Sequence, residues 1–251
     1  MERNWTVLVT GASSGVGAAT CRALARPGVA VLVHARQNRA GAEATVRAIR
    51  EAGGMAQAAF GDLADPPVAA ALVGAAVDAF AGLDALVANA GFADRTPIAD
   101  LDDAAMARSV EAIQTGFFRL ARAALPHLKQ GRDARVVAVS SFVAHASRTG
   151  LTSFPASAAA KAGLEALVRA LALELGPSGV TVNAVVPGFI RKDPGTHIAI
   201  DPAASATRDR HIPLGRIGLP EEVAAAIAFL LSKDAAYITG QALHVNGGLV
   251  M

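Results

Sequence analysis

Cysteine is almost missing from this chain: Cys21 is the only one among 251 residues. A single thiol rules out an intrachain disulfide and gives no metal site, and its place in an apolar helical stretch predicts a buried core residue. Charge is scarce too, at 18% of residues with a formal net charge of +2. With the basic residues scattered, that balance excludes nucleic acid and anionic membrane surfaces as partners. No uninterrupted apolar run reaches the roughly 18 residues of a membrane-spanning helix. The first strand is expected almost at once, at Trp5-Thr6-Val7-Leu8-Val9, with no signal peptide before it, so a cytoplasmic location is expected. No low-complexity linker divides the sequence. Tyrosine occurs once, as Tyr237.

What the chain does have is apolar bulk, 53% of residues with many alanines, which suggests close-packed helices and a large subunit interface. Its length suits one α/β domain spanning residues 1–251. Short apolar runs (Val7 to Thr10, Val29 to Ala35, Met55 to Phe60, Leu83 to Ala88, Arg135 to Ser140, Val180 to Val185, Ala242 to Val245) alternate with helical patterns. The helices are expected at Gly15–Arg26, Arg39–Glu51, Val68–Phe80, Ala104–Leu128, Pro155–Leu175 and Glu221–Leu231. Runs of near-continuous hydrophobicity are strands covered on both faces, so the pattern predicts a doubly wound parallel sheet. The irregular stretch Phe189 to Leu219, rich in proline, follows a strand's carboxyl end and is expected to form a substrate loop.

A strand followed by Gly11, Gly15 and Gly17 and then a helix reads as a dinucleotide cradle. Gly11 permits the tight turn, Gly15 a close backbone approach to a pyrophosphate, and Gly17, next to Val16, close helix packing. The phosphates would meet the free N–H groups of the helix's first turn, with Ser13 and Ser14 adding hydroxyls. The second strand ends at Ala35-Arg36 rather than at an acidic residue. An arginine there accepts a 2′-phosphate, which favours NADP over NAD. Asp62, with Leu63, is placed to accept from the adenine amino group or else to cap a helix. Asn89-Ala90-Gly91 closes the fourth strand, with small residues for close cofactor approach and the Asn89 amide holding the turn.

Taken together with Ser140-Ser141, Lys161, Asn183, Pro187-Gly188, Pro213-Leu214-Gly215-Arg216 and Tyr237-Ile238-Thr239-Gly240-Gln241, these segments resemble the short-chain dehydrogenase/reductase family from Thr10 to Gly248. The resemblance implies a seven-stranded Rossmann fold with helices on both faces, a nicotinamide cofactor touched also by Lys161, Pro187, Gly188 and Ile190, and dimers or tetramers. It further implies a Tyr-x-x-x-Lys site with a serine and an asparagine. Here the pattern departs. Four residues before Lys161 stands Ser157, whose hydroxyl is far less acidic than a phenol. Ile113 holds the asparagine position, Ala144 lies thirteen residues before Ser157 where the serine belongs, and Lys192 replaces a threonine. Ser141 would serve as the substrate-oxygen donor if the following loop bulges. Three other candidates remain: His145 as a general acid, Lys161 feeding protons through water, and Ser157 holding a water in the phenol's place. The expected function is NADP-dependent interconversion of a carbonyl and an alcohol in a mostly apolar pocket lined by Phe92, Phe142, His145, Phe154 and Phe189, with Arg191 and Lys192 favouring an anionic small molecule. The alternatives are a silent cofactor-binding protein and a dehydratase or epimerase on the same scaffold.

Overall fold

The computed structural model describes residues 3–146, 152–192 and 210–251. Seven parallel strands form one sheet in the order β3-β2-β1-β4-β5-β6-β7, comprising β1 (Trp5–Val9), β2 (Val29–Ala35), β3 (Met55–Phe60), β4 (Ala85–Ala88), β5 (Arg135–Val139), β6 (Thr181–Pro187) and β7 (Ala242–Val245). The expected doubly wound architecture is therefore present. In β2, β4, β5 and β6 every residue is buried, because both sheet faces are covered and neither side of the pleat meets water.

Alternate residues feed two cores. Leu8, Leu32, Leu86, Val136 and Val182 point to one face, covered by α3 (Pro66–Phe80), α5 (Gly116–Leu128) and α6 (Pro155–Leu175). Val7, Val31, Val87, Val137 and Val185 point to the other, beneath α1 (Gly15–Leu24), α2 (Arg39–Glu51) and α7 (Pro220–Leu231). Cys21 is fully buried there, and burial pushes its thiol up to about 12. Among the described residues no helix is long and apolar enough to cross a membrane.

One expected helix is not continuous. The stretch read as Ala104–Leu128 is α4 (Asp103–Ser109), a π-helical segment at Val110–Thr115, and then α5. π-helical segments of this kind are frequent at functional sites. Ile113 lies inside this one and is buried. The chain order reverses between β1 and β4, which opens a crevice at their carboxyl ends where ligands of such sheets bind.

Candidate active site

At that switch point the backbone is unusually constrained. Gly11 has φ of +62°, and a Cβ on it would lie 2.9 Å from the Ala90 Cα. A Cβ on Gly17 would sit 2.3 Å from the Gly11 carbonyl oxygen and 2.6 Å from the Asn89 amide nitrogen. Asn89 donates through Nδ2 to the carbonyls of Thr10 at 2.9 Å and Gly11 at 3.1 Å. Thr10 Oγ1 in turn accepts from the N–H groups of Asn89 and Ala90, each at 3.0 Å. Asn89 thus ties the ends of β1 and β4 together. α1 starts at Gly15 directly above, and the N-cap Ser14 makes no side-chain cap bond.

A cleft of about 620 Å³ opens over this cradle, its lining including Gly11, Ser13, Arg36, Asp62 and Gly91. The N–H groups of a helix start, held beside a floor of glycines, suit a pyrophosphate. Arg36 stands exposed at the mouth, 3.6 Å from Asp62. Asp62 Oδ1 accepts from the Ala64 N–H at 3.0 Å, so this carboxylate also shapes its own turn. Leu63 is buried and packs where Gly116 has no side chain.

His34, which the sequence reading passed over, forms part of the same cleft. Its Nδ1 accepts from the Gly11 N–H at 3.4 Å and its Nε2 faces the Gly61 carbonyl at 3.0 Å. Those two contacts require the neutral ring with the proton on Nε2. Burial above all holds its pKa below the ordinary imidazole value, against the opposing pull of the Gly61 carbonyl and Asp62.

The residues expected to serve the reaction lie where β5 passes into α6. Lys161 is buried, its Nζ donating to the Val139 carbonyl at 2.5 Å. The same Nζ is 3.3 Å from where a Cβ on Gly91 would be, so the lysine lies beside a residue that lines the cleft. Burial lowers its pKa to about 8, with the Glu165 carboxylate pulling the other way. Ser157 is buried one turn before it. Its hydroxyl accepts from the Asp94 N–H at 2.8 Å and reaches the Phe92 carbonyl at 3.5 Å, so it fastens the loop after β4 to the start of α6. Ser141 caps the short 3₁₀ turn Phe142–Ala144 and accepts from the Val143 N–H at 3.4 Å. Of the loop between Ser141 and Ser157 that would have to bulge, residues 147–151 lie outside the described residues. Gln114 does not replace the asparagine: its amide packs where Gly163 of α6 has no side chain.

His145 ends the 3₁₀ turn and points at a residue the sequence reading missed. Its Nε2 is 2.8 Å from Glu165 Oε1, and the Ser140 hydroxyl donates to that same oxygen. Glu165 is one helical turn beyond Lys161, a spacing that puts both on one face and was the available signal. The His145 ring meets that of His244 edge-on, 4.6 Å between centroids.

The aromatic lining expected for the substrate is only partly free. Phe142 and Phe189 pack on each other at 4.6 Å within a small cluster with Ile212 and Leu249. Phe92 is partly exposed beneath the Arg108 guanidinium, and Phe154 faces Arg95. Pro187 ends β6, the Gly188 N–H reaches the Val245 carbonyl, and Ile190 bridges to Gly218. Arg191 and Lys192 are exposed, and the middle of the expected substrate loop, residues 193–209, lies outside the described residues.

A glycine cradle at the switch point of a parallel sheet, with a buried lysine beside Gly91, defines a Rossmann-type nucleotide-dependent oxidoreductase. The chain belongs to the short-chain dehydrogenase/reductase family. A family model described as enoyl-(acyl carrier protein) reductase matches residues 11–250. The chain is 40% identical over 242 residues to cis-4-hydroxycyclohexanecarboxylate dehydrogenase of Sinomonas cyclohexanicum, covering 96% of this chain and 94% of that one. It is 38% identical over 246 residues to 3beta-hydroxysteroid dehydrogenase 1 of Eggerthella lenta, covering 98% and 94%. A short chain dehydrogenase from Burkholderia cenocepacia, solved in complex with NADP, superposes with a TM-score of 0.89 at 31% identity, covering 98% of each chain. The protein is accordingly a nicotinamide-dependent oxidoreductase of small molecules.

Proposed function

We propose that the protein interconverts a ketone and a secondary alcohol using NADP(H), with a proton route that bypasses the missing phenol. The observation that carries this reading is the junction of Gly91 and Lys161: Gly91 lines the cleft, and a Cβ on it would lie 3.3 Å from the lysine Nζ. When bound, the cofactor supplies or accepts a hydride at the nicotinamide ring. Gly11, Ser13, Ser14, Gly15, Val16 and Gly17 would hold the pyrophosphate, Arg36 the 2′-phosphate, and Asp62 and Leu63 the adenine. Asn89, Ala90, Gly91, Lys161, Pro187, Gly188 and Ile190 would position the nicotinamide half. Ser141 orients the substrate oxygen and His145 exchanges its proton, while Ser157 keeps the loop after β4 closed against α6.

Two relatives bear the names of dehydrogenases of cyclic alcohols, one of them a carboxylate. Together with exposed Arg191 and Lys192, this directs the substrate search to alicyclic ketones, including anionic ones. Exposed apolar side chains, Phe118 and Leu173 on α5 and α6 and Leu243 and Tyr237 around the edge strand β7, support assembly into a dimer or tetramer.

The test begins with titration of NADPH and NADH, read by Trp5 and nicotinamide fluorescence. It continues with NADPH oxidation in the presence of 4-oxocyclohexanecarboxylate and of a 3-oxosteroid. Selective NADPH binding and ketone-dependent oxidation that disappears in Lys161→Ala support the proposal. Absence of binding to either cofactor would overturn it.

A further inference from the structure

We infer that Glu165 is a positioning residue for proton transfer, orienting His145 so that Nδ1 is the nitrogen that exchanges the substrate's proton. The inference rests on the reading above, in which His145 replaces the phenol, and adds the group that makes it competent.

The arrangement is directional. The Glu165 side chain is only 7% exposed, whereas that of His145 is 26% exposed, so the carboxylate is dry and the imidazole keeps a wet side. A buried carboxylate is costly unless hydrogen-bonded, and both described donors to Oε1 are side chains, Ser140 from the end of β5 and His145 from the turn after it. An ionised carboxylate only accepts. The Nε2 proton of His145 is therefore committed to it, and Nδ1 is left with the lone pair in the neutral ring or the second proton in the imidazolium. This is the logic by which a carboxylate fixes a catalytic histidine's tautomer and stabilises its charged form.

The second ring of the pair, His244, is held differently. His244 Nδ1 accepts from Asn246 Nδ2 at 3.2 Å. The Asn246 amide is itself oriented by the Gly248 N–H on Oδ1 and by the Val250 carbonyl on Nδ2, each at 3.0 Å. Burial first, and then the nearby His145, hold His244 below the ordinary imidazole range, against the pull of Glu165. Edge-on imidazoles do not both carry charge readily, and only His145 has the carboxylate in contact. Lys161, on the preceding turn of α6, faces the same carboxylate from the cofactor side.

The step balances simply. In reduction, the substrate carbon takes the hydride from the reduced cofactor while its oxygen takes the proton on Nδ1. The C=O π bond, the C–H bond of the dihydronicotinamide ring and the Nδ1–H bond break, and the substrate's new C–H and O–H bonds form with rearomatisation of the ring. The products are the alcohol, the oxidised cofactor and a neutral imidazole, reprotonated from solvent through the ring's exposed side. Alcohol oxidation runs the same transfers backwards.

The test uses the full chain labelled with ¹⁵N-histidine, as wild type, Glu165→Gln and His145→Asn. Gln is isosteric and keeps an oxygen acceptor for both donors, so the fold is retained while the charge is removed. The expected result is a slowly exchanging, low-field Nε2–H resonance in the wild type, absent from His145→Asn and moved upfield in Glu165→Gln. With NADPH and 4-oxocyclohexanecarboxylate as probes, Glu165→Gln should lose about 10²-fold in kcat, the lower end of what positioned proton transfer contributes, with little change in KM or NADPH affinity. No low-field His145 resonance in the wild type, or kcat unchanged in Glu165→Gln, would overturn the inference. A wild type that binds NADPH and shows the resonance yet oxidises it with no ketone would instead overturn the catalytic reading of His145, on which the inference rests.

Discussion

The glycine cradle and the junction of β5 with α6 are built on different principles. Around Gly11, Gly17 and Asn89 the cofactor would be met by backbone: N–H groups of a helix start, and a floor kept open by the absence of Cβ atoms. Around Ser141, Ser157 and Lys161 the chemistry depends on individual side chains. In the expectation drawn from the sequence, the first matches the family's pattern, and Ser157, Ile113, Ala144 and Lys192 are where the second would depart from it. Backbone recognition leaves little room for substitution, since any side chain at Gly17 collides. A proton donor is a single replaceable group, and in the proposed route His145 with Glu165 would take its place.

The largest effect should come from breaking the backbone end. Gly17→Val forces a branched side chain against the Gly11 carbonyl and Asn89. Overpacking of this kind costs about 1–3 kcal/mol, and NADPH binding should be lost in fluorescence titration. At the other end, Lys161 carries a pH signature. Its folded pKa is about 8 against 10.5 unfolded. Between those values the unfolded chain holds a proton that the fold does not, so stability rises with pH across the window. The wild type should gain about 3 kcal/mol there that Lys161→Met does not, read from urea midpoints of the cofactor-free protein at pH 7.5, 9 and 10.

Cofactor choice sharpens the comparison within the first end. Arg36→Glu should reverse the preference from NADPH to NADH by about 10- to 100-fold, the scale of a charged hydrogen bond of about 1.5–3 kcal/mol. A preference unchanged in that variant would move the 2′-phosphate contact away from Arg36. Ser157→Ala removes the acceptor for the Asp94 N–H and should lower the stability by about 1 kcal/mol while leaving NADPH affinity intact. Affinity lost together with stability would mean the clamp also shapes the nucleotide end. The smallest effect concerns His34, whose folded pKa lies below 6.5. Its contribution to stability is complete above pH 6.5. It fades as pH falls below that value, because the unfolded chain takes up a proton that the buried ring resists. A wild-type loss of stability between pH 6.5 and 5.5 that is smaller in His34→Gln checks it.

Much of the fold and of the backbone around Gly11 was legible in advance. Strand and helix positions followed from apolar periodicity because both sheet faces are buried, and the turn at Gly11 followed from residues that only one backbone shape accommodates. The break at Val110–Thr115 was not legible, since a π-segment keeps a helical hydrophobic pattern. Ser157 showed in the sequence only as a missing phenol. That its hydroxyl fastens the Phe92–Asp94 segment depends on a contact across 63 residues.

The amino-acid sequence by itself determined the sheet, the glycine cradle and the family, because local spacing dictates backbone and backbone dictates those features. Tertiary structure alone decided which polar groups meet: His34 under Gly11, Lys161 beside Gly91, and Glu165 between Ser140 and His145. These partners come from different strands and turns, and a side-chain pairing of that kind leaves no periodic trace. Only the folding of the sheet ends onto α6 brings them within hydrogen-bond reach.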